Sequence, residues 1–239
     1  MQEYQEDGLR YLNKIFNKLF VMVYDKYTIT FIHMRYFFAF TLFQFLLTFQ
    51  LSCAQIKLPI ATGNRTEIKE IKLTSIGDFG IMRKERPGVP EHLHTGIDIK
   101  RPSKNYNNEP IFSVSRGIVI SVRDDGPFAQ IIIEHKNNND IFWTVYEHIA
   151  GIKVTINQEV NEYAPIARFM NKSELNKYGW QFDHFHFEIL KYPPKRLKTN
   201  NKQPQYKFCT YNLICYNKND LDNYYIDPFI FFKENLKNE

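Results

Sequence analysis

Between residues 117 and 149 the chain repeats one signal three times. GIVISVRD (117–124), AQIIIEHK (129–136) and IFWTVYEHI (141–149) are β-branched and aromatic runs bounded by turn formers. Such side chains lose χ1 freedom in a helix and pack well on a pleated surface, so the runs predict successive strands. Asn137-Asn138-Asn139-Asp140 between the last two predicts a hairpin. KVTI (153–156) and PIARFM (165–170) read as short strands around a loop, and Ser173 to Lys177 as one helical turn. No internal repeat is visible. The fold class that follows is all-β: an antiparallel sheet structure with short loops and few short helices.

A fourth strand carries the chemistry. In DHFHFEIL (183–190) successive side chains point to opposite faces, so His184, His186 and Glu188 share one face and Phe185, Phe187 and Ile189 the other. The apolar face belongs to the core. The two imidazoles stand about 6.6 Å apart at Cα, two strand rises, close enough to act around one ion.

Other candidate ligands sit upstream. His94 and Asp98 flank Thr-Gly-Ile, and in an extended strand positions four apart are about 13 Å apart, too far to share an ion. The β-branched Thr and Ile argue against a helix, so a shared ion requires a turn near Gly96, with a strand starting near Asp98. His148 ends the strong strand in Tyr146-Glu147-His148. His92 forms a second His-x-His with His94 and is a competing ligand, while His135, beside the hairpin, reads as structural. Two imidazoles, one carboxylate and an open position make up a catalytic zinc site, whereas a structural site closes with four protein ligands. If His94, Asp98 and one of His184 or His186 bind, the other of that pair and His148 remain to orient a water, accept its proton and stabilise an oxyanion.

The N-terminal part reads differently. From Tyr36 to Cys53 the chain is apolar except for Thr, Ser and two Gln, follows Met34-Arg35, and ends in Ser52-Cys53-Ala54-Gln55. Three readings are open, and all of them imply export: a signal starting at Met34, an uncleaved membrane anchor through residues 36–53, or lipidation at Cys53. Residues 1–54 are therefore an extension plus signal or anchor, and 55–74, with the polar KLPIATGNRTEIKE, a linker or edge segment. An oxidising compartment would permit a bridge between Cys209 and Cys215, neither of which stands in a Cys-x-x-Cys zinc pattern. The net charge of +5 is mild, and no basic stripe interleaved with stacking aromatics points to nucleic acid.

Taken together, HTGIDI with His94 and Asp98, Tyr146-x-His148, and HFHFEI with His184 and His186 resemble the lysostaphin-type (LytM-like) zinc endopeptidases of bacterial cell walls. The resemblance covers roughly residues 75–232, including Gly77-Asp-Phe-Gly-Ile-Met-Arg83 and Ile226-Asp-Pro228, and leaves 233–239 as a tail. It implies a small antiparallel β structure with a groove over one zinc ion held by His94, Asp98 and His186, with His184 and His148 as catalytic non-ligands. It also implies an exported endopeptidase acting on the peptide stems of peptidoglycan. The alternative is a catalytically weak or inactive wall-binding or regulatory module of the same fold. The sequence departs from the family before the His-x-His strand, where NKSELNKYGWQFD replaces a Gly/Ser/Thr-rich loop ending in Gly-Pro. It departs again in the long insertion 191–225, which is a lid, a substrate wall or a partner surface.

Overall fold

The computed structural model describes residues 55–137 and 140–236, together with Lys14. The apolar run 36–53 lies outside the described residues, as does the export signal, anchor or lipidated Cys53 expected there. Among the described residues no helix is long and apolar enough to cross a membrane.

The β-branched runs become β5 (Gly117–Arg123), β6 (Gln130–Asn137) and β7 (Asp140–Glu147), each antiparallel to the next. The expected hairpin closes β6 on β7, with Asn137 opposite Asp140. β10 (His184–Leu190) then pairs with β7 on one side. Its other side is shared by β3 (Ile97–Lys100), against the first half, and β13 (Tyr225–Ile226), against the last two residues. With β8 (Glu159–Val160) on β5, these strands make one seven-stranded sheet. Three two-stranded ribbons complete the β structure. They are β1 (Met82–Arg83) with β2 (His92–Leu93), β4 (Pro110–Phe112) with β9 (Pro165–Arg168), and β11 (Lys195–Arg196) with β12 (Phe208–Cys209). The architecture is β-rich, as expected.

Phe185, Phe187 and Ile189 enter the main core with Ile97, Ile99, Ile131 and Tyr146, all fully buried. The opposite face is not left to solvent. Val145, Leu190 and Ile132 on that side are covered by Cys215, Leu221 and Tyr225 from the segment after β10. The stretch 191–225, expected as a long insertion, is thus a second layer that packs β12 and α2 (Lys218–Tyr224) over the far end of the histidine face. Only the near end, around His184 and His186, opens into a cleft. The stretch expected as a linker or edge segment contributes Ile56, Leu58, Ile60 and Ile71 to the main core.

Several local expectations change. KVTI is not a strand: Gly151 and Asn157 take positive φ (53° and 65°) on either side of it, and its β-branched residues join no ladder. The helical turn is α1 (Lys172–Tyr178), held by a reciprocal cap in which Asn171 Oδ1 accepts from Glu174 N (2.9 Å) and Glu174 Oε2 from Asn171 N (2.7 Å). Past Ile226 the chain forms α3 (Pro228–Asn235), which starts at the Asp227 cap and runs into the expected tail. The bridge between Cys209 and Cys215 is not formed. Both are free thiols, and Cys215, fully buried, turns Sγ toward Tyr211 O at 3.5 Å.

Candidate metal centre

The pairing of β3 with β10 brings distant residues together, setting Asp98 directly opposite His186. His94 precedes β3, and the bend at Gly96 carries it back over the strand. Glycine is needed there for closeness to β10: a Cβ at Gly96 would lie 2.2 Å from Phe187 O and 2.9 Å from His186 Cε1. The expected turn is present, and its reason is backbone approach.

Three atoms converge as a result. His94 Nε2 lies 2.9 Å from His186 Nδ1 and 3.1 Å from Asp98 Oδ1, and His186 Nδ1 lies 3.0 Å from the same oxygen. These three residues are the group able to hold a metal among the described residues, and all are buried. The outer nitrogen of each ring is already engaged. His94 Nδ1 donates to Asp78 O (2.8 Å), and His186 Nε2 meets Glu188 Oε1 (3.0 Å), which also accepts from Thr95 Oγ1 (2.5 Å). A histidine that donates outward presents a lone pair inward. Two lone pairs and a carboxylate oxygen within about 3 Å of one another repel unless positive charge stands between them. The donor set therefore fits a cation, and its two nitrogens and one oxygen suit zinc. Asp98 is further braced by Arg83, which donates to Oδ2 at 2.5 Å and so leaves Oδ1 for the centre.

Without an ion, a proton fills the role. Burial disfavours a charged His186, but its hydrogen bonds to Asp98 and Glu188 outweigh this and push its pKa up to about 10. His94 is held below the usual value, mainly by burial. Burial raises Asp98, yet the hydrogen bond from His186 holds it far below the usual carboxylate range. A metal must therefore displace the His186 proton. Below pH 10 metal affinity should rise about tenfold per pH unit, with about one proton released per ion bound near neutral pH. Calorimetric titration of zinc in buffers of different ionisation enthalpy measures that proton, and zero release would contradict the assignment.

His184 and His148 stand beside this group. His184 faces Lys100 across β3, and its Nε2 lies 3.7 Å from Asp98 Oδ1. Burial brings its pKa down to about 4, so the ring is neutral at pH 7. His148 is one residue beyond β7 in a left-handed conformation (φ 62°), which costs about 1 kcal/mol and turns its ring toward the cleft. Its Nδ1 donates to Pro127 O at 2.5 Å, it packs edge-on to His184 at 5.3 Å between ring centroids, and Phe182 lies at 4.9 Å. Burial lowers its pKa as well. The five residues singled out from the sequence thus meet at one place.

His92 lines the same cleft, but its Nδ1 is tied to Pro90 O (2.8 Å) and it does not join the three converging atoms. His135 is structural, bound to Arg116 O and Thr144 Oγ1 within the sheet. Glu188 and Arg83 are supporting residues that the motifs do not name. Glu188 shares the histidine face by alternation, a usable signal; nothing local points from Arg83 to Asp98. The cleft, about 950 Å³, is walled by Trp180 and Phe182 from the atypical segment before β10 and by Phe128.

Residues 92–204 match the family model of Peptidase family M23. No curated protein matches the chain. Among solved structures, a zinc-containing peptidase from Vibrio cholerae is similar at 26% identity with a TM-score of 0.38, over 57% of this chain and 36% of that one. The chain thus spans little more than a third of that relative. The catalytic domain of the prophage-encoded M23 protein EnpA from Enterococcus faecalis shares 22% identity (TM-score 0.35) over 59% of this chain and 88% of its own. Lysostaphin from Staphylococcus simulans shares 16% (TM-score 0.41) over 71% and 52%. The stretch that is similar to Peptidase family M23, residues 92–204, contains all five of the converging side chains.

Proposed function

We propose that this chain is an exported zinc endopeptidase that hydrolyses peptide cross-links of bacterial peptidoglycan. The observation that carries the reading is the convergence of His94 Nε2, Asp98 Oδ1 and His186 Nδ1, with both rings bound outward. Those three atoms would hold the ion. Zinc bound there would polarise the scissile carbonyl and lower the pKa of a water toward ~7. His184, neutral at pH 7, accepts the attacking water's proton at Nε2, the atom that faces Asp98. His148 donates through Nδ1 to Pro127 O, so its Nε2 is an acceptor while the ring is neutral. It orients the water through a second hydrogen bond and becomes an oxyanion donor only once protonated. The apolar run 36–53 supports export, by cleavage, anchoring or lipidation at Cys53.

The test is to purify the full chain, measure bound metal, and assay release of soluble muropeptides from purified peptidoglycan. About one zinc per chain is expected, with release that stops on chelation and returns on adding zinc. Stoichiometric zinc without hydrolysis would instead favour a wall-binding module.

A further inference from the structure

The cleft around the converging atoms carries an uneven set of charges. Two of its cations are spoken for: Arg83 by Asp98, and Arg101 by Asp183 at 2.8 Å. Asp98 and Asp183 are neutralised in the same pairs. Two charges on the strands themselves are left. Lys100 ends β3 directly opposite His184, exposed, and forms no ion pair among the described residues. Glu147 ends β7 directly opposite His186 on the other side of β10. It lines the cleft half-buried and has no cationic partner within salt-bridge distance among the described residues. One of its oxygens accepts from Gln130 Nε2 at 2.6 Å, and that glutamine is itself buried, so the carboxylate is held in place.

Directly opposed residues of an antiparallel pair share a face. Lys100, His184, His186 and Glu147 are therefore on one side of the sheet, with the histidine strand between a free cation and a free anion. Two strand spacings and two residue rises put the two Cα atoms about 12 Å apart, the length of three to four extended peptide residues. Arg86, exposed and without an ion pair among the described residues, lines the same cleft and adds to the positive charge there.

We propose that Lys100 and Glu147 select and orient the bound peptide by charge, Lys100 taking a free carboxylate and Glu147 a free ammonium on opposite sides of the reacting bond. That a bond between them reacts rests on the peptidase reading; the selectivity itself is a property of binding. A peptide chain carrying one such group at each end would lie in one direction across β10, and its reverse would set like charges together.

Tetraglycine tests this without side chains to confuse it. Four forms, with the amine free or acetylated and the carboxyl free or amidated, are titrated into the full chain at low salt. Binding is followed by the fluorescence of Trp180, one of two tryptophans, which lines the cleft and is half exposed. Each matched charge should tighten binding about three- to fivefold, so the form with both ends free should bind about tenfold more tightly than the doubly capped one. The preference should shrink toward unity at 1 M salt. Lys100→Met should bring the ratio of free to amidated carboxyl toward one while leaving the amine ratio, and Glu147→Gln should do the converse. Four forms within twofold of one another, no binding by any form, or ratios that survive both substitutions would each overturn the inference. Charge selectivity in a protein that hydrolyses none of the peptides would leave it standing and count against the peptidase reading instead.

Discussion

His184→Ala should keep its zinc and lose at least ~10²-fold in peptide hydrolysis, the low end of what a positioned general base contributes. The two halves of that expectation have separate causes. Metal retention follows because His184 contributes no atom to the converging triad: its Nε2 lies 3.7 Å from an Asp98 oxygen that two other rings already approach. Rate loss follows because no other neutral imidazole can take over at that position. His148, its nearest counterpart, is fixed by Pro127 O and lies 5.3 Å away between ring centroids. Metal analysis and turnover on the same preparation decide the matter. Turnover within a few-fold of the parent would transfer the proton-accepting part to His148, and loss of zinc would make His184 a ligand.

Asp98→Ala should lose both metal and activity and should also weaken the fold. In the metal-free parent Asp98 answers two positive groups: Arg83 on one oxygen and the protonated His186 on the other. Its removal leaves the Arg83 guanidinium, whose side chain is 14% exposed, without a partner. Breaking a buried pair by deleting one member costs about 3–5 kcal/mol, and the residual exposure of Arg83 places the expectation at the lower end. Urea denaturation of the metal-free proteins should therefore show Asp98→Ala less stable than the parent by about 3 kcal/mol. Asp98→Asn, which keeps an acceptor for Arg83, should recover part of that stability but not the metal. Equal stability of parent and Asp98→Ala would mean that the ion pair contributes nothing to folding.

What the sequence made readable was whatever is encoded locally. Alternation along 183–190 set the faces of β10, and the β-branched runs placed β5, β6 and β7 within a residue or two. The requirement that His94 and Asp98 share an ion forced a bend at Gly96, whatever strand lay beside it. What stayed hidden depends on residues far apart in the chain. The pairing of Asp98 with His186 spans 88 positions, and no local pattern announces that β3 would take the free side of β10 ahead of β13. The burial of Glu188 is hidden for the same reason, since its cover comes from residues 191–225, whose Lys, Asn and Tyr content reads as exposed. KVTI misled because strand propensity was present without a neighbour to pair with. Two further features are local: Asn171-x-x-Glu174 and Asp227-Pro228 are both helix starts.

The position of β10 also bears on how this chain is made. Among the described strands it alone pairs with all of β3, β7 and β13. Until residue 190 has left the ribosome, β7 keeps a bare edge and β3 has nowhere to dock. The 43 residues separating the end of β7 from the end of β10 take about 2–9 s to synthesise at 5–20 residues per second. During that interval a nascent chain presents an aromatic, unpaired edge of the kind that recruits other strands. The same pairing is what sets Asp98 opposite His186, so the three converging atoms cannot meet until β10 has docked on β3.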